Sequence, residues 1–131
     1  MRQISINELQ CKIVENLKVD IINYTTRRLG EDTSFTEEEL YRIVFTNFRI
    51  TDGLPCGIRL TPFGNHLMSK KYDHYKYEYK GKVTNRSFIA LDKCMKWPYY
   101  VGKKIITFYN EDDAALFRLN GNNINNYVDF L

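Results

Sequence analysis

The 131-residue chain is expected to fold as a small single α+β domain. Helices and a hairpin fill about residues 7–72, and a short antiparallel sheet with further helices fills about 73–131. Three observations point there. The length suits one core and is short for two, since single domains are commonly about 100–150 residues. Apolar residues recur at helical spacing in the first part, whereas Tyr75 to Lys80 alternates strictly and two short apolar runs flank Gly102 further on. Hydrophobic residues make up 44% and aromatic ones 15%, too rich for a disordered chain and enough to leave rings beyond the needs of a core.

Asn7 with Gln10 at N3 is set to cap the first helix, and Ser5 with Glu8 offers a competing start. Leu9, Ile13, Leu17 and Ile21 form its apolar stripe, widened by Val14 and Tyr24. Arg27 and Arg28 before Gly30 complement the dipole at its end. A second helix is expected over 36–46. Thr36 caps it, Glu39 completes a capping box, and Phe35 can staple onto Leu40. The run Glu37, Glu38 and Glu39 occupies its first turn, where carboxylates meet the positive end of the dipole. A helix that starts on three acids cannot enter a nucleic-acid groove by that end.

Phe48–Ile50 and Ile58–Leu60 flank the turn-rich stretch 51–57 and suggest a hairpin from which Arg49 and Arg59 project. Thr61 then caps a third helix with Pro62 at N1, buries Phe63, Leu67 and Met68, and closes on Lys70 and Lys71. Two helices, a hairpin and Leu60-Thr61-Pro62-Phe63-Gly64 leading into another helix make residues 7–72 resemble the winged-helix family, in which a Leu-Thr-x-x-Gly sequence often follows the wing. The resemblance implies DNA binding. Two features depart from the family pattern: two helices precede the hairpin where three are usual, and the helix in the recognition position starts with acids.

In the strand Tyr75–Lys80, the rings of Tyr75, Tyr77 and Tyr79 share one face, expected to be half-buried, and Lys76, Glu78 and Lys80 share the other. Gly81 permits a turn. A helix over about Ser87 to Lys96 would bury Phe88, Leu91 and Met95, leave Lys93 and Lys96 exposed, and stop at Trp97-Pro98. Tyr99–Val101 and Ile105–Tyr109 read as strands about a basic turn, Gly102-Lys103-Lys104. Asn110 caps a last helix carrying Ala114, Ala115, Leu116 and Leu119, ended by Asn120-Gly121. The tail 122–131 is apolar enough to pack as a final helical turn. The stretch Leu91-Asp92-Lys93, Met95-Lys96, Pro98-Tyr99-Tyr100, Lys103-Lys104 makes residues 57–131 resemble small uncharacterised proteins of tailed bacteriophages, which implies a virus-encoded protein acting in a bacterial cytoplasm.

Charge is the main functional clue. From His66 to Lys104 there are ten Lys or Arg against three acids, with six Tyr, one Phe and the only Trp among them, so the net +3 of the chain is +7 there, −1 before it and −3 after it. Phosphates attract the cations and unpaired bases stack on the rings. The candidate phosphate contacts are Lys70, Lys71, Lys76, Lys80, Lys82, Arg86, Lys93, Lys96, Lys103 and Lys104, and the candidate stacking rings are Tyr72, Trp97 and Tyr99. The expectation is a non-catalytic, regulatory nucleic-acid-binding protein, with DNA ahead of RNA. An ordinary solvated lysine surface is the plain alternative. A protein-binding module that inhibits or redirects a host enzyme would use the same exposed rings. A metal-dependent nuclease is a lesser alternative, suggested by Asp73 and Glu78-Tyr79-Lys80, whose spacing is shorter than that signature normally has.

No other chemistry is expected. Cys11, Cys56 and Cys94 lack any C-x-x-C pairing, which argues against a disulfide framework or a cysteine zinc site, and His66 and His74 have no further ligands at a metal-like spacing. Cys11 and Cys94 read as small buried hydrophobes. No cofactor and no metal are expected, nor a membrane partner, because no apolar leader or stretch of about 20 apolar residues occurs. The expected home is the cytoplasm.

Overall fold

The computed structural model describes residues 8–29, 34–46 and 58–127. Among them are five helices and a three-stranded antiparallel sheet, an α+β domain as expected. In chain order they are α1 (Glu8–Leu29), α2 (Glu37–Val44), α3 (Pro62–Lys71), β1 (Tyr75–Glu78), α4 (Asn85–Cys94), β2 (Tyr99–Val101), β3 (Ile105–Phe108) and α5 (Glu111–Leu119).

Two packed cores share the chain. In the first, Ile13, Val14, Leu17 and Ile21 of α1 meet Leu40, Tyr41 and Val44 of α2, and Leu67 and Met68 of α3. The capping chemistry fixes where α2 and α3 begin. The box at Thr36 is complete: Glu39 N–H donates to Thr36 Oγ1 at 3.1 Å and Thr36 N–H to Glu39 Oε1 at 3.0 Å. Phe35 packs half-buried on the same core as Leu40. Thr61 accepts from Gly64 N–H at 2.9 Å and donates its own hydroxyl to Ile43 O, so one side chain caps α3 and holds it to the end of α2. Gly64 is needed there: a Cβ at this position would lie 2.3 Å from Val44 O. Tyr24, expected on the buried stripe, is exposed and leans on the Phe63 ring, centroids 4.9 Å apart.

In the second core, α4, α5 and the tail cover one face of the sheet. The strand order is β1-β3-β2, with Tyr75 opposite Phe108, Tyr77 opposite Ile106, and Tyr99 opposite Phe108. These side chains pack on Ala90 and Leu91 of α4, Ala114 and Phe117 of α5, and Ile124 and Tyr127. Residues 58–60 run beside β2, with Leu60 N–H bonded to Tyr99 O at 2.7 Å, and Leu60 also forms an antiparallel bridge with Phe45. This bridge is why α2 ends at Val44 and not at 46: Phe45 has left the helix for extended backbone. The expected strand 48–50, Arg49, Cys56, the caps at Asn7 and Ser5, and residues 128–131 lie outside the described residues. Tyr109 belongs to the first core and Ile58 to the second, so the two halves interlock across the proposed boundary near 72.

Local details correct or extend the sequence reading. Helix α4 starts at Asn85, two residues before Ser87, because Thr84 caps it and Ser87 supplies the reciprocal bond at N3; it ends at Cys94, since Met95 is already extended. Phe88 is half-buried beneath the Arg59 guanidinium, whose carbon sits 3.5 Å from the ring centroid. Leu119 is 84% exposed: α5 buries Ala114 and Phe117, and Leu119 points away from that line. Residues 121–127 form turns. Gly121 and Asn122 take positive φ of 72° and 58°, and Asn123 bridges back to Lys80.

Candidate nucleic-acid interface

Alternation gives the sheet a second face, turned away from the helices of the second core. Lys76, Thr107 and Tyr100 stand in one row across β1, β3 and β2, and Glu78 stands opposite Ile105 in the next. Lys76, Tyr100, Lys103, Lys104 and Ile105 surround a groove of about 450 Å³ with Thr107 on its wall and Asn65 of α3 at its rim. Ile105 is 44% exposed there, and Tyr100 is half-buried against the first core.

The groove is held by two tyrosine hydroxyls. Tyr79 places its hydroxyl 2.6 Å from Gly102 O and 2.7 Å from Lys103 O, one proton shared between two carbonyls of the β2–β3 turn. Burial pushes its ionisation upward, so it stays a neutral donor and fixes the backbone from which Lys103 and Lys104 project. Tyr109 donates to Asn65 Oδ1 at 2.6 Å, which orients the amide at the opposite rim, and burial raises this hydroxyl's ionisation strongly as well.

Across α3 from this groove, a cleft of about 320 Å³ between α1 and α3 is lined by Asp20, Tyr24, Arg27, His66, Lys70 and Lys71 among others. Lys71 is largely committed. Its ammonium bonds Asp20 Oδ2 at 2.8 Å and Asn16 O at 2.6 Å, tying α1 to α3. Lys70 and Arg27 are exposed. Lys70 and Lys71 also border a wider depression with Tyr72, Asp73, His74 and Tyr75.

Five of the ten candidate cations therefore come together on the two flanks of α3: Lys70, Lys71, Lys76, Lys103 and Lys104. The other five line neither depression. Lys80 sits where the chain bridges to Asn123, Lys82 and Arg86 lie at the start of α4, and Lys93 and Lys96 lie at its end, Lys96 being 3.7 Å from Asp112.

The stacking rings need a larger correction. Tyr99 is fully buried, and its hydroxyl donates to Asp92 Oδ1 at 2.6 Å, so no base can reach it. Tyr72 and Trp97 are half-buried and spend a face on each other, edge to face at 5.9 Å, with Tyr72 also accepting from Asn16 Nδ2 at 3.0 Å. Tyr72 nonetheless lines the depression beside Lys70 and Lys71, and Tyr100, which the sequence reasoning passed over together with Asn65 and Ile105, lines the groove with Lys76, Lys103 and Lys104. Parity within a strand was the available signal: Tyr99 and Tyr100 must face opposite ways, so one of them lies outside the second core.

One further carboxylate has a structural role. Asp113, buried at the start of α5, accepts the backbone N–H groups of Lys96 and Trp97, both at 2.9 Å, and so shapes the turn between α4 and β2. Desolvation raises its pKa above the usual carboxylate value, against the lowering effect of those two bonds. Asp73 and Glu78, the acids of the nuclease-like pattern, are separated by β1, which spans roughly 10 Å from its first residue to its last. Among the described residues, no group of three or more His, Cys, Asp or Glu side chains is placed to hold a metal ion, and no helix is long and apolar enough to cross a membrane. Cys11 accepts the Tyr41 hydroxyl at 3.1 Å, and both Cys11 and Cys94 are half-buried beside their cores.

Comparison of the chain with protein-family models, curated proteins and solved structures finds no match.

Proposed function

We propose that this chain binds nucleic acid without cleaving it, through the open face of the sheet and the flanks of α3, and acts as a phage-encoded regulator in the cytoplasm of a bacterial host. The observation that carries the binding proposal is the groove lined by the exposed Lys76, Lys103 and Lys104 together with Tyr100 and Ile105. Polyanions with flat bases match that distribution. The cleft with Arg27 and Lys70 supplies further positive charge on the other side of α3. Helix α2 is not part of the surface: its first turn is acidic, and Glu39 is engaged in its own cap.

The test is fluorescence anisotropy of the purified protein with labelled DNA and RNA, with Mg²⁺ present and the oligonucleotides checked for cleavage. Contact with about four phosphates predicts a slope near −3 in log affinity against log salt, so a four-fold rise in salt weakens binding on the order of 50-fold. The combined substitutions Lys76→Glu, Lys103→Glu and Lys104→Glu should abolish binding, whereas Lys93→Glu should change it little. Absence of binding at low salt would refute the proposal and direct attention to a host protein partner.

A further inference from the structure

We infer that the groove on the open sheet face takes unpaired bases, so that the ligand is single-stranded nucleic acid and not duplex. The inference rests on the nucleic-acid function proposed above and narrows its substrate class.

The shape is the first reason. A duplex reader puts a protruding helix or ribbon into a groove of the nucleic acid. Here the positive charge surrounds a depression in the protein, and the ligand must supply the part that protrudes. Bases in a duplex are stacked and paired inside the backbone, whereas those of a single strand can turn outward into a hollow.

The distribution of chemistry is the second reason. Lys76 stands on β1, and Lys103 and Lys104 on the β2–β3 turn, all three exposed, so cations reach the groove from both of these elements. Beside them lie the half-buried Tyr100 and the 44% exposed Ile105. A strand whose phosphates follow the lysines lays its bases over the ring and the isoleucine, and covers an apolar side chain that water otherwise meets. Asn65, fixed by Tyr109, adds a polar group at the rim for a base edge. Glu78 lies opposite Ile105 but does not line the groove. The chemistry shared by single-stranded DNA and RNA is what the groove fits, and separate arms of the test distinguish them.

The experiment compares a labelled single-stranded DNA, the RNA of the same sequence, and the DNA duplex, each titrated with wild type, Ile105→Glu, Tyr100→Leu and Lys103→Glu. Ile105 is exposed enough for its variant to fold, which covers the case of Tyr100→Leu disturbing the first core. The expected result is single-strand binding at least about ten-fold tighter than duplex binding, with Ile105→Glu and Tyr100→Leu each removing about ten-fold of it, the scale of one lost base stack. A 2-aminopurine placed in the strand should lose fluorescence on binding to wild type and recover it with Tyr100→Leu. Equal or tighter binding of the duplex, weakened by Lys103→Glu but indifferent to Ile105→Glu, would overturn this inference and leave the broader function standing. No binding by any of the three nucleic acids would overturn both.

Discussion

The two faces of the sheet use the same kinds of residue for opposite ends. Tyr99 and Tyr100 are neighbours in β2, yet Tyr99 is sealed in the second core with its hydroxyl on Asp92, while Tyr100 lines a basic groove. Ile106 is fully buried and Ile105 is 44% exposed. Residue type does not separate these pairs; strand parity and the presence of α4 and α5 on one side do. An aromatic surplus in composition is therefore informative only after each ring has been given a face.

Substitutions at four positions would break or sharpen this contrast. The largest expected effect is on the inner face. Tyr99→Ala should cost about 3–5 kcal/mol in a urea or thermal unfolding experiment, through lost packing and a buried Asp92 partner left behind, while Tyr100→Leu should cost less than about 1.5 kcal/mol. Similar costs at the two positions would mean that the faces are not distinct in the way described.

Asp113 gives the intermediate effect. Asp113→Ala removes the acceptor of two backbone N–H groups and should cost about 1–3 kcal/mol. Its pH dependence has a definite sign. Because desolvation raises the carboxyl's pKa in the folded state, the folded chain binds this proton more tightly than the unfolded one. Stability from this group is then fully present below the ordinary carboxylate value, and it falls as pH rises toward the raised value. Denaturant midpoints followed upward from acid pH should show that decline in wild type and lack it in Asp113→Asn.

The smallest effect is on the outer face. Glu78→Gln removes a carboxylate beside Ile105 at little cost in stability, within about 0.5 kcal/mol. It should tighten oligonucleotide binding by a few-fold at low salt, and the gain should shrink as salt screens it. Weaker binding would mean that Glu78 contacts the ligand directly.

Much of the fold was legible because its signals are local. Thr36 with Glu39, Thr61 with Pro62, and Asn110 each announce a helix start through a bond closed within three residues, and the structure closes those bonds. Tyr75–Lys80 shows its two faces by alternation alone. The start of α4 was harder to see, since Thr84 is answered by Ser87 and not by the Glu or Gln that marks a capping box in sequence. The site was legible only as a charge-rich region. Its lysines were identifiable by type, but topology sends Lys82, Arg86, Lys93 and Lys96 to the two ends of α4 and brings in Asn65 and Arg27 from elements distant in the chain. Nothing short of the strand register and the docking of α3 contains that information.

The short bridge between Lys80 and Asn123 bears on how copies of the chain behave toward one another. Strand β1 is the outer strand of the sheet, and an uncovered outer strand is a template for pairing with the same strand of another molecule. Here it is four residues long, carries alternating charges on one face, and is carried at its end onto the tail, where Lys80 N–H bonds Asn122 O at 2.8 Å and Ile124 N–H bonds Lys80 O at 3.0 Å. Edge-to-edge growth of the sheet through β1 therefore finds little strand to extend.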